Sequence, residues 1–350
     1  GDGRSLAPLL AGLPLPTAPA LSESLYAERH LGWSPLHALE EGRFKYIAAP
    51  TPELYDVVAD PGETSNRVAA EPEIAQRLAA ALSAAVELAP AARQPEAQDE
   101  RIAARLRALG YVTSAAPMAT PDVDPKLRIE LWERLQQAVA HFGRGDYESA
   151  ARDLEAVIRR ERGIPLVYDT LGACYMRLER WPEAERLYGQ ALALGIESAA
   201  MRIDLGLIAA RRQDVERAEA ELRQALALEP LNVAARHHLG DLYRTAGRAA
   251  VAAAEYRAAL ALSPRYVYSW NGLGRALGDL GDAPAALAAF RRAVELAPGE
   301  PHGVLNLAAQ LERMGHREEA LAAYRACLEL APSPELGAVA RRGIDRLADP

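Results

Sequence analysis

An alanine returns every 34 residues along most of this chain, at Ala150, Ala184, Ala218, Ala252, Ala286 and Ala320. Four places after each stands a large residue: Leu154, Tyr188, Leu222, Tyr256, Phe290 and Tyr324. Three further on come Val157, Ala191, Ala225, Ala259, Ala293 and Cys327. A small residue precedes each alanine by twelve, at Ala138, Gly172, Gly206, Gly240, Gly274 and Ala308, with leucine just before it from Leu171 to Leu307. Proline closes the later units at Pro230, Pro264, Pro298 and Pro332, and no insertion interrupts the six. A strict period of this length leaves few folds open. Each unit is one supersecondary element that cannot bury its apolar face alone, so neighbours must stack into a continuous core.

The pattern resembles the tetratricopeptide repeat (TPR) family, in which each unit is a pair of antiparallel helices. The physics of each place agrees. A small residue in the first helix and an alanine in the second let the helices approach, and the large residue fills the gap to the next unit. The closing proline lacks an N–H and stops the second helix. Gly145-Asp146, Gly247-Arg248, Gly281-Asp282 and Gly315-His316 supply the turns between helices. The fold expected is mainly α: a TPR α-solenoid of six helix pairs over residues 131–334, then a capping helix within 335–350, read from Glu335 to Leu347. The first unit fits least well, with Gln137 for leucine and Arg162 for proline, as a terminal repeat should.

In families with this fold, one face of each first helix lines a concave groove. Mapped onto this sequence, that face carries Asp169 and Arg177, then Asp204 and Arg211. It continues through His237, His238, Asp241 and Arg244, then Asn271 and Arg275, and ends at His302, Asn306 and Arg313. Singly these are ordinary solvated residues; as a set they form a candidate peptide-binding groove, so the partner expected is a protein or peptide. Some family members grip a peptide's terminal carboxylate with lysines. The chain's two lysines, Lys45 and Lys126, lie outside the repeats, so that clamp is not expected. His237 and Asp241 stand one helical turn apart, but two donors do not make a metal site. No metal ligand and no catalytic residue is assigned.

Charge and composition exclude other classes. The formal net charge is −8, against the basic stripe that a nucleic-acid binder uses to displace counterions. Nearly all positive charge is arginine, which reads as the codon bias of a GC-rich bacterial genome. Cys174 and Cys327 fall on apolar helical faces with no Cys-x-x-Cys pairing, so both read as small buried hydrophobes. Trp132, Trp181 and Trp270 read as packing residues. No apolar run reaches membrane-spanning length. No signal peptide is legible, and the opening Gly1-Asp2-Gly3 reads as part of something longer.

Residues 1–113 lack the 34-residue period, and 1–88 of them read as a subdomain. Ser24 to Ala27, Leu36 to Leu39, Phe44 to Ile47 and Glu53 to Tyr55 read as short strands, with turns at Glu41-Gly42 and Asp60-Pro61-Gly62-Glu63. Glu71 to Leu88 has helical spacing, with Ile74, Leu78, Leu82 and Val86 on one stripe. This predicts a small α+β subdomain built on an antiparallel sheet. Residues 89–130 form a proline-marked linker around a short helix, 99–109.

Several phrases in the first third of the chain resemble the C-terminal subdomain of the sulfatase family, in the alkaline phosphatase-like superfamily. They are Asp2-Gly3-Arg4-Ser5-Leu6, Tyr26-Ala27-Glu28, Gly32-Trp33-Ser34-Pro35-Leu36 and Gly42-Arg43-Phe44-Lys45-Tyr46-Ile47. The most diagnostic run is Glu53-Leu54-Tyr55-Asp56 with Asp60-Pro61-Gly62-Glu63 and Asn66, and Arg105 to Val112 resembles the tail leading into TPR arrays. The resemblance implies that the chain is the C-terminal part of a sulfatase-like hydrolase, starting after the catalytic core. It further implies that the intact parent is a metal-dependent sulfuric ester hydrolase. Its formylglycine nucleophile, in a Cys/Ser-x-Pro-x-Arg context, and its divalent metal, calcium or magnesium, would lie upstream of residue 1. No cofactor is expected in this chain, and export to the periplasm follows from the resemblance alone.

Overall fold

The protein is described by a computed structural model covering residues 19–24, 33–88, 123–330 and 333–348. It is mainly helical, a TPR-type solenoid preceded by a four-stranded antiparallel sheet. The strands are β1 (Ala20–Ser24), β2 (Leu36–Glu41), β3 (Phe44–Ala48) and β4 (Glu53–Asp56), in spatial order β1-β2-β3-β4. Helix α1 (Pro72–Leu88) follows. The first strand, Ala20–Ser24, meets the expected strand at Ser24. Residues 25–27, the expected helix over 99–109 and Pro332 lie outside the described residues.

The chain divides into two compact units. Among the described residues, one comprises 19–24, 33–88, 123–180 and 189–196, the other 181–188, 197–330 and 333–348. In the first, the predicted apolar stripe of α1 covers the sheet: Leu78 and Leu82 pack with Ala75 against Leu39, Tyr46 and Leu54. Gly42 turns β2 into β3 at a positive φ of 64°, open to glycine because it has no Cβ. Part of the expected linker is not free. Ser34 N donates to Val123 O at 3.0 Å and Thr51 N to the buried Asp124 carboxylate at 3.2 Å. Lys126 Nζ reaches Glu53 at 3.0 Å. Residues 123–128 are thereby tied to the sheet, because buried backbone groups and charges must find partners.

A 3₁₀ turn (Pro125–Arg128) leads into the helices of the array. The first unit holds α2 (Ile129–Gly143), α3 (Tyr147–Arg160), α4 (Pro165–Arg177) and the end of α5 (Trp181–Ala193). The second holds the start of α5, then α6 (Ala199–Arg211), α7 (Val215–Leu228), α8 (Val233–Thr245) and α9 (Ala249–Leu262). It ends with α10 (Val267–Asp279), α11 (Ala283–Leu296), α12 (Pro301–Arg313), α13 (Arg317–Glu329) and the cap α14 (Pro334–Ala348).

Every periodic alanine, from Ala150 to Ala320, is fully buried, and so are the large residues four places later. Close contact explains the small residues. A Cβ on Gly206 would meet Leu222 at 2.8 Å, and one on Gly274 would meet Phe290 at 2.6 Å. Chain reversal is also periodic: Gly145, Glu179, Gln213, Gly247, Gly281 and Gly315 all take positive φ, between 56° and 81°. Side-chain caps at Asp146, Asp214 and Asp282 then accept the first free N–H groups of α3, α7 and α11.

Candidate functional site

The first helices of three consecutive repeats, α8, α10 and α12, belong to the second unit. Helical spacing puts His237, Asp241 and Arg244 near one face of α8, Asn271, Arg275 and Asp279 near one face of α10, and Asn306, Gln310 and Arg313 near one face of α12. Four of the residues singled out from sequence, Arg244, Arg275, Asn306 and Arg313, line one cavity of about 190 Å³. Gly274, Gly278, Asp279, Phe290, Ala309 and Gln310 complete it.

The cavity is electropositive. Three guanidinium groups face it, and one carboxylate, Asp279, lies 3.5 Å from Arg244. Among the described residues no ion pair engages Arg275 or Arg313, both exposed. Gln310 is 2% exposed; its Nε2 donates to Ala283 O at 3.2 Å, while Oε1 has no partner. Arg244 Nε is also buried without one. Unused buried polar atoms beside two guanidiniums that make no ion pair suit an anionic ligand carrying both acceptors and donors.

Gln310 and Asp279 lie outside the set that the sequence marks as groove-lining. A signal existed for Gln310: it interrupts the apolar column Cys174, Ile208, Leu242 and Ala276, which recurs at the repeat length.

A second cluster lies on α8. His237 Nε2 is 3.2 Å from Asp241 Oδ2, and His237 Nδ1 is 3.3 Å from Ser269 Oγ. Tyr256 donates its hydroxyl to Asp241 Oδ1 at 2.6 Å. His237 packs among the rings of His238, Tyr256, Tyr266 and Tyr268, at centroid distances of 5.3 to 6.3 Å. Burial, with the neighbouring His237, pushes the His238 imidazole down to about 4, although Asp241 pulls the other way. Burial lowers His237 as well, again against Asp241. The sequence offers only His237 and Asp241 as a spaced pair, whereas the structure brings a donor atom of His238 within 4.8 Å of both.

The other residues singled out from sequence go elsewhere. Asp169, half-buried, and Arg177, exposed, lie in the first unit. In the second, Asp204 accepts the Tyr188 hydroxyl, and the Arg211 guanidinium lies 4.8 Å from the Trp181 ring centroid. Asn271 has a buried Oδ1 with no partner but does not line the cavity. His302 sits at the first turn of α12, bonded to Glu300 at 2.9 Å, away from the cavity. Trp270 donates Nε1 to Pro264 O at 2.9 Å. Both cysteines are buried as expected. Among the described residues no helix is long and apolar enough to cross a membrane.

Sequence models of the tetratricopeptide repeat match residues 170–233, 203–266 and 237–301, and a second such model matches 305–334. Comparison with curated protein sequences gives no match. Among solved structures, the fold is similar to a chain of the APC/C hetero-tetramer Cut9-Hcn1, with a TM-score of 0.55 at 15% identity. That match covers 61% of this chain and 43% of the other, so this chain spans less than half the length of that relative. It is also similar to PilW, described as a widely conserved type IV pilus biogenesis factor, with a TM-score of 0.54 at 20% identity over 60% of this chain and 97% of that one. At these identities the likeness shows the fold. The chain therefore contains a tetratricopeptide repeat array, a fold that points to protein partners.

Proposed function

We propose that the chain is a protein-interaction scaffold whose repeat array binds an extended acidic peptide segment, one carboxylate of which enters the cavity between Arg244, Arg275 and Arg313. The observation that carries this reading is the charge imbalance there: three guanidiniums against Asp279 alone. Guanidinium forks match carboxylates in shape and charge. An acidic partner also has to overcome the chain's net charge of −8, which favours a site where positive charge is concentrated. The test is fluorescence anisotropy of the full chain with a labelled Glu/Asp-rich peptide and its Lys-rich counterpart. Binding of the acidic peptide alone, weakened at least tenfold by the double variant Arg275→Ala, Arg313→Ala, supports the reading. Equal binding of both peptides, or no loss in the double variant, overturns it. Both arginines are exposed, so the fold should survive their removal.

A second reading concerns the larger protein. The sheet residues behind the sulfatase resemblance form one bonded turn. Asn66 Oδ1 accepts from Leu54 N and Val68 N, both at 3.1 Å, and Asp60 accepts from Thr64 N and Ser65 N, both at 2.8 Å. The buried Asp56 is paired with Arg43 and Arg67. Residues spaced for one shared turn support the view that the subdomain is the C-terminal part of a sulfatase-like hydrolase, with the nucleophile and the calcium or magnesium ion on a preceding domain and export to the periplasm. Reading the coding sequence upstream of Gly1 decides it. A Cys/Ser-x-Pro-x-Arg motif in frame supports the parentage; a start codon immediately before Gly1 sinks it.

A further inference from the structure

We propose that His237, His238 and Asp241 form a binding site for a divalent transition-metal ion of the zinc class, independent of the arginine-lined cavity. The three donor atoms lie within 4.8 Å of one another on adjacent turns of α8. Zn–N bonds of about 2.0 Å in tetrahedral geometry place donors roughly 3.3 Å apart. The His237–Asp241 separation of 3.2 Å already meets this, so closure needs only a swing of the His238 side chain. Two imidazoles and a carboxylate select zinc and its first-row neighbours, whereas calcium and magnesium favour all-oxygen shells.

The surroundings hold the donors as outer partners do in metal sites. The Tyr256 hydroxyl on Asp241 Oδ1 fixes the carboxylate and leaves Oδ2 turned to His237. Ser269 Oγ meets the far nitrogen of His237. Its hydroxyl can donate or accept. With a metal on Nε2, the neutral imidazole would carry its proton on Nδ1 and donate a hydrogen bond from there to Ser269 Oγ, so the ring stays uncharged. Such partners orient ligands and sustain affinity. Three protein donors leave one tetrahedral position for water or a ligand atom.

The test is calorimetric titration of zinc alone into the metal-stripped full chain, with cobalt(II) absorption as a reporter of coordination. One equivalent of zinc should bind, with intense tetrahedral cobalt bands. His238→Ala and Asp241→Asn should each abolish that binding. Tyr256→Phe keeps the buried ring and should lower affinity roughly 10- to 100-fold, the usual effect of losing an outer partner. Absence of stoichiometric binding, or binding that survives both ligand substitutions in variants with unchanged helical circular dichroism, overturns the proposal. Should a ligand substitution unfold the chain, Tyr256→Phe decides: unchanged zinc affinity overturns the site.

Discussion

Gly240 lies against the face of Tyr256 so closely that a Cβ on it would stand 2.5 Å from Tyr256 Cε1. Gly272 crowds the same ring: a Cβ there would come within 2.4 Å of the same atom. The ring is fully buried and cannot step aside. Glycine to alanine inside an exposed helix normally stabilises by about 1 kcal/mol. Here overpacking should reverse the sign, and Gly240→Ala should destabilise by roughly 1–3 kcal/mol. Gly189, exposed in α5 with nothing within 4 Å of where a Cβ would stand, is the control. Urea unfolding should move the two variants in opposite directions; a stabilised Gly240→Ala would refute the packing argument.

Glu179 and Gln213 occupy the left-handed turn position that glycine fills in the other four repeats, with φ of 56° and 63°. A side chain there strains against its own carbonyl by about 1–2 kcal/mol. Glu179→Gly and Gln213→Gly should each raise stability by about 1 kcal/mol, less the entropy that glycine adds to the unfolded chain. Thermal unfolding measures this. A lower melting temperature in both variants would mean that their side chains, not their backbone, matter at these turns.

These turns show what a sequence makes legible. The repeat is read directly, because each periodic place answers to one packing constraint: Ala252, Tyr256 and Ala259 are all fully buried. The turns at Glu179 and Gln213 escape the glycine signal, yet the fixed period forces the same backbone there. Strands β2, β3 and β4 are legible from their β-forming residues and the turns between them, whereas β1 offers no inside-outside pattern, because all five of its residues are exposed. In the candidate site, spacing along one helix finds His237 and Asp241, but convergence between repeats does not follow from spacing. The family's groove face gathers Arg244, Arg275 and Arg313 among a larger set, but they sit at different places in their repeats, so packing is needed to show that these three line one cavity.

His238 makes stability depend on pH. Its pKa in the fold is about 4, lowered first by burial and then by His237, against about 6.5 in the unfolded chain. The fold thus favours the neutral ring. Its contribution is complete above the unfolded value and is lost as pH falls from 6.5 towards 4. Between pH 7 and pH 5 this amounts to about 2 kcal/mol, and His237 shifts the same way. Metal-free wild type should therefore lose more stability over that interval than His238→Gln, as read from denaturant midpoints. Parallel losses in the two would show that the His238 ring is accessible to protons in the fold.

Asp279 opposes the ligand charge proposed for the arginine cavity. It is exposed and pairs with Arg244 at 3.5 Å, so its removal should cost at most about 1 kcal/mol of stability. Asp279→Asn removes a repulsion towards an incoming carboxylate and releases Arg244 to meet it. At low ionic strength the acidic peptide should bind about three- to tenfold more tightly, the scale of one unit charge several ångströms away in a partly screened site. In about 0.5 M salt, where the screening length falls to a few ångströms, the gain should largely vanish. Anisotropy titrations at two ionic strengths read both effects. Tighter binding that persists in high salt would point to shape rather than charge, and weaker binding would mean that Asp279 positions Arg244 for the ligand.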